Sequence, residues 1–224
     1  MPEFWIGLVK IIWINIILSG DNAVVIAMAA RTLPAHQQKQ AVIWGSGAAV
    51  VLRIILTVVA AKLLALPYLQ IIGGLLLLWI GVQLLSEEDE DENDSEEKKH
   101  SNLFAAIRTI LIADLVMSLD NVIAVAAAAS GSMTLLILGL AISIPLVIFG
   151  ATLMVKLMER FPIIVVAGAA LIGWVAGETI VSDALFQEYL AANGWLHYAG
   201  ALAGAVFVVG VGKLLQARAK TQAA

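Results

Sequence analysis

The chain has no cysteine, which excludes disulfides, thiolate metal sites and thiol chemistry at once. Charge is scarce as well. Asp, Glu, Lys and Arg make up 13% of the 224 residues, where a soluble globular domain carries roughly a quarter. The three histidines, His36, His100 and His197, all fall in expected loops or at a helix end, so a zinc cluster is not expected. What fills the composition instead is apolar side chain: 61% of the residues, with a mean hydropathy of +0.96. That excess must face something other than water, and a lipid bilayer is the solvent that fits. The length is therefore better divided by the roughly 20 residues of one membrane crossing than by the size of a soluble domain.

The net charge of −4 is a local property. Nine acids lie between Glu87 and Glu97, offset there by Lys98 and Lys99, so this segment carries −7 and the rest of the chain +3. The acidity belongs to a loop, and nothing points to nucleic-acid binding. Such a run cannot bury a core and reads as a solvated linker. Weak cation capture or regulation is the alternative role for it. The start, MPEFWIG, lacks the positive region of a signal peptide, and the apolar stretch that follows is too long for one. It is expected to stay as a transmembrane helix.

Seven apolar runs follow, at 4–30, 41–66, 68–85, 103–129, 133–158, 162–181 and 196–215. In lipid the backbone must satisfy itself, so each is expected to be a helix. The expected fold is an all-α polytopic membrane protein. Pro34, Pro67 and Pro162 punctuate the turns, and Trp5 and Trp195 near span ends fit interfacial anchors. Seven crossings put the termini on opposite sides. The side holding the C-terminus and the first–second, third–fourth and fifth–sixth loops carries ten of the thirteen basic residues. Lys10, Arg53 and Lys62 are the other three, inside or at the ends of spans. The positive-inside rule makes the basic side cytoplasmic, with the N-terminus outside a cell membrane.

Two segments are copies of each other. Asn15-Ile-Ile-Leu-Ser-Gly-Asp-Asn22 in the first span and Asp114-Leu-Val-Met-Ser-Leu-Asp-Asn121 in the fourth align at one offset. Asn15 meets Asp114, Ser19 meets Ser118, Asp21 meets Asp120 and Asn22 meets Asn121. With a short deletion the match continues through Lys62 and Lys156, Pro67 and Pro162, Gly73 and Gly168, and Trp79 and Trp174. The expected domains are a first three-helix repeat at 1–85, an acidic linker at 86–102, a second repeat at 103–182, and a seventh helix with a cytoplasmic tail at 183–224. Because each repeat has an odd number of spans, the second copy must run through the membrane in the opposite sense. Inverted repeats of this kind place a substrate site near the midplane and favour alternating access.

Asp21, Asp114, Asp120 and Glu178 lie within spans, where a central acid costs at least ~2.5 kcal/mol on insertion scales. On a regular helix Asp114, Ser118 and Asn121 form one stripe, and Asn15, Ser19 and Asn22 its twin, with Asp21 and Asp120 about 100° away. Either the polar face is broad, or the helix breaks near Ser19-Gly20 and frees carbonyls for coordination. The second copy has Leu119 at the glycine's place, so a break is expected on one side only. Carboxylate, amide and hydroxyl oxygens are hard ligands suited to Mg, Ca or Mn. Asp21, Asp114 and Asp120 with the amides of Asn15, Asn22 and Asn121 supply enough of them for a dication. Met117 beside the stripe is a candidate soft ligand or a packing residue. Arg53, mid-span with an apolar counterpart near Val147, is a candidate charge partner for one acid. Glu178, opposite Gln83 in the first repeat, is a candidate relay acid. The alternative for the paired motifs is a structural clasp without a ligand.

These two motifs, with the Gly20–Ala27 run Gly-Asp-Asn-Ala-Val-Val-Ile-Ala, the acidic central loop and the Gly73-Gly74 and Gly168 stretches, resemble the TerC family of bacterial membrane proteins. The resemblance covers nearly all seven spans. It implies Mn²⁺ efflux, an N-out/C-in arrangement, membership of a wider lysine-exporter-like superfamily, and a metal held by Asp21, Asn22, Asp120 and Asn121, with Asn15 and Asp114 joining them. The expected function is thus export of Mn²⁺, with Ca²⁺ or another hard dication as the near alternative, and not catalysis; a homo-oligomer is one option for its assembly. An intramembrane aspartyl protease is the rival enzyme, because paired membrane aspartates can share a proton. It fits poorly: the sequence reads Leu18-Ser-Gly-Asp21, and the second aspartate follows leucine. A non-transporting scaffold or sensor is the third class.

Overall fold

The structure is a computed structural model and describes residues 2–17, 19–63, 68–86, 96–129 and 132–222. Most of the acidic segment, and Pro67 with its proposed match to Pro162, lie outside the described residues. All regular elements described are helices: α1 (Pro2–Ile17), α2 (Gly20–Arg31), α3 (Ala35–Leu63), α4 (Leu69–Ser86), α5 (Glu96–Ala129), α6 (Met133–Arg160), α7 (Ile163–Val181), α8 (Gln187–Ala192) and α9 (Trp195–Gln222). Among them, α3, α4, α5, α6, α7 and α9 are each long and apolar enough to cross a bilayer. Counting α1 and α2 together as one span, an apolar run bent by 48° at its break, brings the number to seven. The protein is an all-α polytopic membrane protein.

The break has a local cause. Ser19 sits at φ −110°, ψ 2°, outside the helical region, and Gly20 opens the next helix. Serine and glycine together weaken a helix interior by something over ~1 kcal/mol relative to good helix formers. In the copy, Ser118-Leu119 replaces Ser19-Gly20, and α5 runs through the same point without interruption. The break is therefore one-sided. At 1.5 Å per residue the 34 residues of α5 extend roughly 50 Å, more than the ~30 Å hydrocarbon core, so one end must project from the membrane. The projecting end is Glu96–Ser101, where the charges of the linker continue into the helix.

Two compact units partition the chain. The first comprises Met1–Leu64 and Glu92–Lys156, the second Ala65–Asp91 and Leu157–Ala224. Neither follows the two sequence halves. The first unit combines α1, α2 and α3 with α5 and most of α6, hence two spans from each half. The second combines α4 with α7, one span from each half, and adds α8 and α9.

In the first unit, Leu8 and Ile11 of α1 pack with Val50 of α3, Val125 of α5, and Leu136 and Leu140 of α6 in one buried apolar cluster. Gly139 of α6 lies so close to Ile11 that a β-carbon there would collide with that side chain. With lipid as solvent, contact of this kind rests on shape and van der Waals packing, since burial from lipid yields no hydrophobic gain.

In the second unit the packing is closer still. Gly173 and Gly177 of α7 face Gly204 and Gly200 of α9, so that a β-carbon on Gly177 would run into the Gly200 carbonyl oxygen. Backbones approach here because neither helix has side chains between them. A Gly177→Leu substitution is expected to destabilise the protein by about 3 kcal/mol, at the upper end of overpacking effects. Gly210→Leu on α9, where an added β-carbon meets nothing within 4 Å, is expected to stay within about 0.5 kcal/mol. Thermal unfolding of both in detergent micelles checks the contrast.

Candidate functional site

The break in the first span sets a group of polar side chains inside the first unit. Asn15, one turn before the break, and Ser19, within it, are buried at 1% and 5% exposure. Arg53 reaches them from α3. Its Nη1 donates to Asn15 Oδ1 at 2.6 Å and to Ser19 Oγ at 3.4 Å. Its Nη2 donates to Asp114 Oδ1 of α5 at 2.5 Å, with both side chains only 4% exposed. The Asn15 amide nitrogen donates in turn to Ser143 of α6. Ser143 Oγ lies 2.7 Å from the Leu140 carbonyl, on its own helix. The guanidinium of Arg53 on α3 thus joins the first span to α5, its planar fork serving both at once, and α6 is tied in through Asn15.

Sequence reading placed Asn15 and Asp114 among metal ligands and Arg53 as a charge partner. The structure brings these three together: Arg53 engages one oxygen of each. Asp114 Oδ2, Arg53 Nε and Ser118 Oγ are buried with no hydrogen-bond partner among the described residues. Buried polar atoms of this kind are ordinarily met by water or an ion.

Asp21 and Asn22 stand on the other side of the break, in the first turn of α2. Asn22 is 3% exposed, whereas Asp21 is half-buried. Asp21 Oδ1 accepts from the Asn22 backbone N–H at 2.8 Å, and the charges of Arg53 and Asp114 both reach it. On α5, Asn121 donates its amide nitrogen to the Met117 carbonyl at 3.1 Å, so its oxygen is the end not used in that bond. Met117 itself is buried at 6% exposure. The Asp120 side chain lies outside the described residues. Among the described residues no group of three or more His, Cys, Asp or Glu is close enough to hold a metal ion.

Glu178 belongs to the second unit. Its Oε1 lies 2.5 Å from His197 Nε2 of α9, with both side chains about one-third exposed (38% and 33%). Asp183, just past α7, is a buried carboxylate with a structural task. It accepts backbone N–H groups from Tyr68 at 3.4 Å, Gln70 at 3.2 Å and Leu185 at 3.1 Å. It thereby caps the start of α4, where Tyr68 takes the left-handed φ of 68°, and the short turn after α7. Removing the acceptor of three charge-assisted, part-buried bonds with Asp183→Ala is expected to cost about 2 kcal/mol. A drop in the thermal midpoint is the outcome to measure.

Two partners escaped sequence reasoning. Ser143 carried one usable signal, a hydroxyl inside the most apolar of the spans, but it has no polar counterpart in the other repeat: the residue at that place is Ala49. His197 reads as a helix-end residue until the fold sets it against Glu178.

Comparison with known proteins agrees with this architecture. The signature of the integral membrane protein TerC family matches residues 1–220. The membrane protein YjbE of Bacillus subtilis is 45% identical over 192 residues, covering 86% of this chain and 87% of YjbE. YkoY of the same organism is 27% identical over 188 residues, 76% of this chain and 58% of YkoY. YegH of Escherichia coli is 26% identical over 182 residues, 74% of this chain but 34% of YegH. No solved structure matches. With a family signature spanning nearly its whole length and a relative this similar end to end, the chain belongs to the TerC integral membrane protein family and is a multi-pass membrane protein.

Proposed function

We propose that this protein is a transporter of hard divalent cations, with Mn²⁺ as its cargo and export from the cytoplasm as its direction. The observation that carries the reading is the helix break: a transmembrane run interrupted immediately before Asp21-Asn22. An unwound segment inside a membrane is tolerated where it lines a cavity or holds an ion. Charge supports it further. Arg53 compensates Asp114, and the paired motifs hold two further acids, Asp21 and Asp120. Two carboxylates match one dication.

In this reading Asp21, Asn22, Asp120 and Asn121 supply the oxygens around the ion. Asn15 and Asp114 hold Arg53 beside it, and Asp114 Oδ2 remains for a water or the ion itself. All of these are hard donors, in keeping with Mn²⁺, Ca²⁺ or Mg²⁺ over softer metals. The repeats are the moving parts, exchanging access to the two sides, with the N-terminus outside and the protein in the cell membrane. The test is purified protein in liposomes, given Mn²⁺, Ca²⁺, Mg²⁺ and Zn²⁺ one at a time with a metal-sensitive dye inside. Mn²⁺ flux well above that of empty liposomes is expected. Equal, background-level signals for all four metals overturn the proposal.

A further inference from the structure

The guanidinium of Arg53 stands on oxygens that a metal cation could use. Its Nη1 is 2.6 Å from Asn15 Oδ1 and its Nη2 is 2.5 Å from Asp114 Oδ1. Asn15 and Asp114 are the same position in the two aligned copies. In the transport reading the copies are inverted about a two-fold axis, and the midpoint of two groups that such an axis exchanges lies on the axis. The substrate site of an inverted-repeat transporter is expected there, where the copies meet. Arg53 thus holds a positive charge at the place the cargo has to reach. The other copy has Val147 at the position of Arg53, so the charge is a feature of one copy only.

As a purely structural clasp the group is incomplete. All the N–H groups of a guanidinium are donors, yet Arg53 Nε is buried with no partner among the described residues. On the acceptor side Asp114 Oδ2 and Ser118 Oγ are buried and unmet in the same way. These two residues lie one helical turn apart on α5, at 4% and 0% exposure. A buried ion pair adds little net stability even when its remaining polar atoms are satisfied, and less when they are not. One carboxylate therefore has an oxygen on a tethered cation and an oxygen open, beside an open hydroxyl. Both open groups are hard donors of the kind a divalent cation takes.

We propose that Arg53 is a tethered competitor of the cargo. Its guanidinium fills the oxygens of Asn15 and Asp114 while the site is empty. A divalent cation that reaches Asp114 Oδ2 and Ser118 Oγ pushes it aside, and its return helps to expel the metal. The proposal rests on the transport reading for its cargo and deepens it by giving Arg53 a part in release. Two cations on one carboxylate repel each other, so the guanidinium weakens metal binding at the oxygens it neutralises. Transport needs that weakening, because a site that holds its ion too firmly does not let it go.

Metal binding tests this apart from transport. Purified protein in detergent is titrated with Mn²⁺, and the free ion is followed by its electron paramagnetic resonance signal. Arg53→Met is expected to bind Mn²⁺ at least about tenfold more tightly than the parent. Adding Asp114→Asn should remove that gain, since the freed carboxylate is gone. Arg53→Lys keeps the charge but releases one of the two oxygens, and should bind about threefold more tightly. It decides the question alone if Arg53→Met does not fold. In vesicles the tighter variants should reach half-maximal flux at lower Mn²⁺ and with a lower maximum. Unchanged or weaker affinity in Arg53→Met, or in Arg53→Lys where only that variant folds, overturns the proposal and leaves Arg53 as a clasp. So does a gain that survives Asp114→Asn. In either case a parent that binds and moves Mn²⁺ keeps the transport reading. Absence of binding in the parent and every variant defeats the transport reading itself.

Discussion

Replacing Arg53 with methionine is expected to destabilise the protein by about 3–5 kcal/mol, and adding Asp114→Asn to recover most of that loss. The ion pair is buried, with 4% of each side chain exposed. Removing the guanidinium strands the Asp114 carboxylate and also takes a donor from Asn15 Oδ1 and Ser19 Oγ. Breaking one side of a buried pair has this order of penalty, whereas removing both charges is often close to neutral. Arg53→Lys should fall between, at about 1–2 kcal/mol. An ammonium keeps the charge but cannot direct two separate nitrogens at Asn15 and Asp114. Thermal unfolding followed through the six tryptophans in detergent reads all three. Equal losses in Arg53→Met and in the double variant would mean that Asp114 is not what Arg53 stabilises. The double variant has a second use. It removes the ion pair from a folded protein, so its flux reports whether the pair takes part in transport or only holds the four helices together.

Much of the fold is legible from apolar run length alone, because lipid leaves a helix as the only way for a lone segment to satisfy its backbone. Run length does not fix ends. The third helix begins at Ala35 and the last continues to Gln222, since polar residues extend a helix beyond the membrane without adding hydropathy. The Ser19-Gly20 break was legible as one of two options, and the glycine-to-leucine difference between the copies indicated its one-sidedness. The units were not legible. Internal repetition marks which segments share an origin, while compactness is set by which faces meet. Here α1, α2 and α3 pack with α5 and α6, across the repeat boundary.

The site was legible by residue type more than by partner. A lone arginine in a transmembrane run with several aspartates must find one of them, yet the sequence does not say which. The choice of Asp114 depends on α3 and α5 lying side by side. Ser143 and His197 show the same limit. Each is unremarkable at its own position and becomes informative only when a residue far along the chain arrives opposite.

Asp21→Asn is expected to lower Mn²⁺ flux at least a hundredfold with a stability change of under about 1 kcal/mol, and Asp120→Asn to do the same. The substitution keeps size and one acceptor oxygen, so the bond from the Asn22 N–H can persist. What it removes is charge. Two unit charges at about 4 Å interact by about 4 kcal/mol at an effective permittivity of 20, and a dication doubles the attraction. Loss of ion hydration offsets part of this. A net remainder of about 2.7 kcal/mol already corresponds to a hundredfold. Stability should move little in return, because among the described residues Asp21 has no ion pair as close as that of Arg53 and Asp114. Flux assays on both variants, run beside their thermal midpoints, separate this outcome from simple misfolding. Undiminished flux in Asp21→Asn would take the α2 side of the break out of the cation site. The helix interruption would then need a different physical reason, such as a hinge between α1 and α2 that bends during the access change.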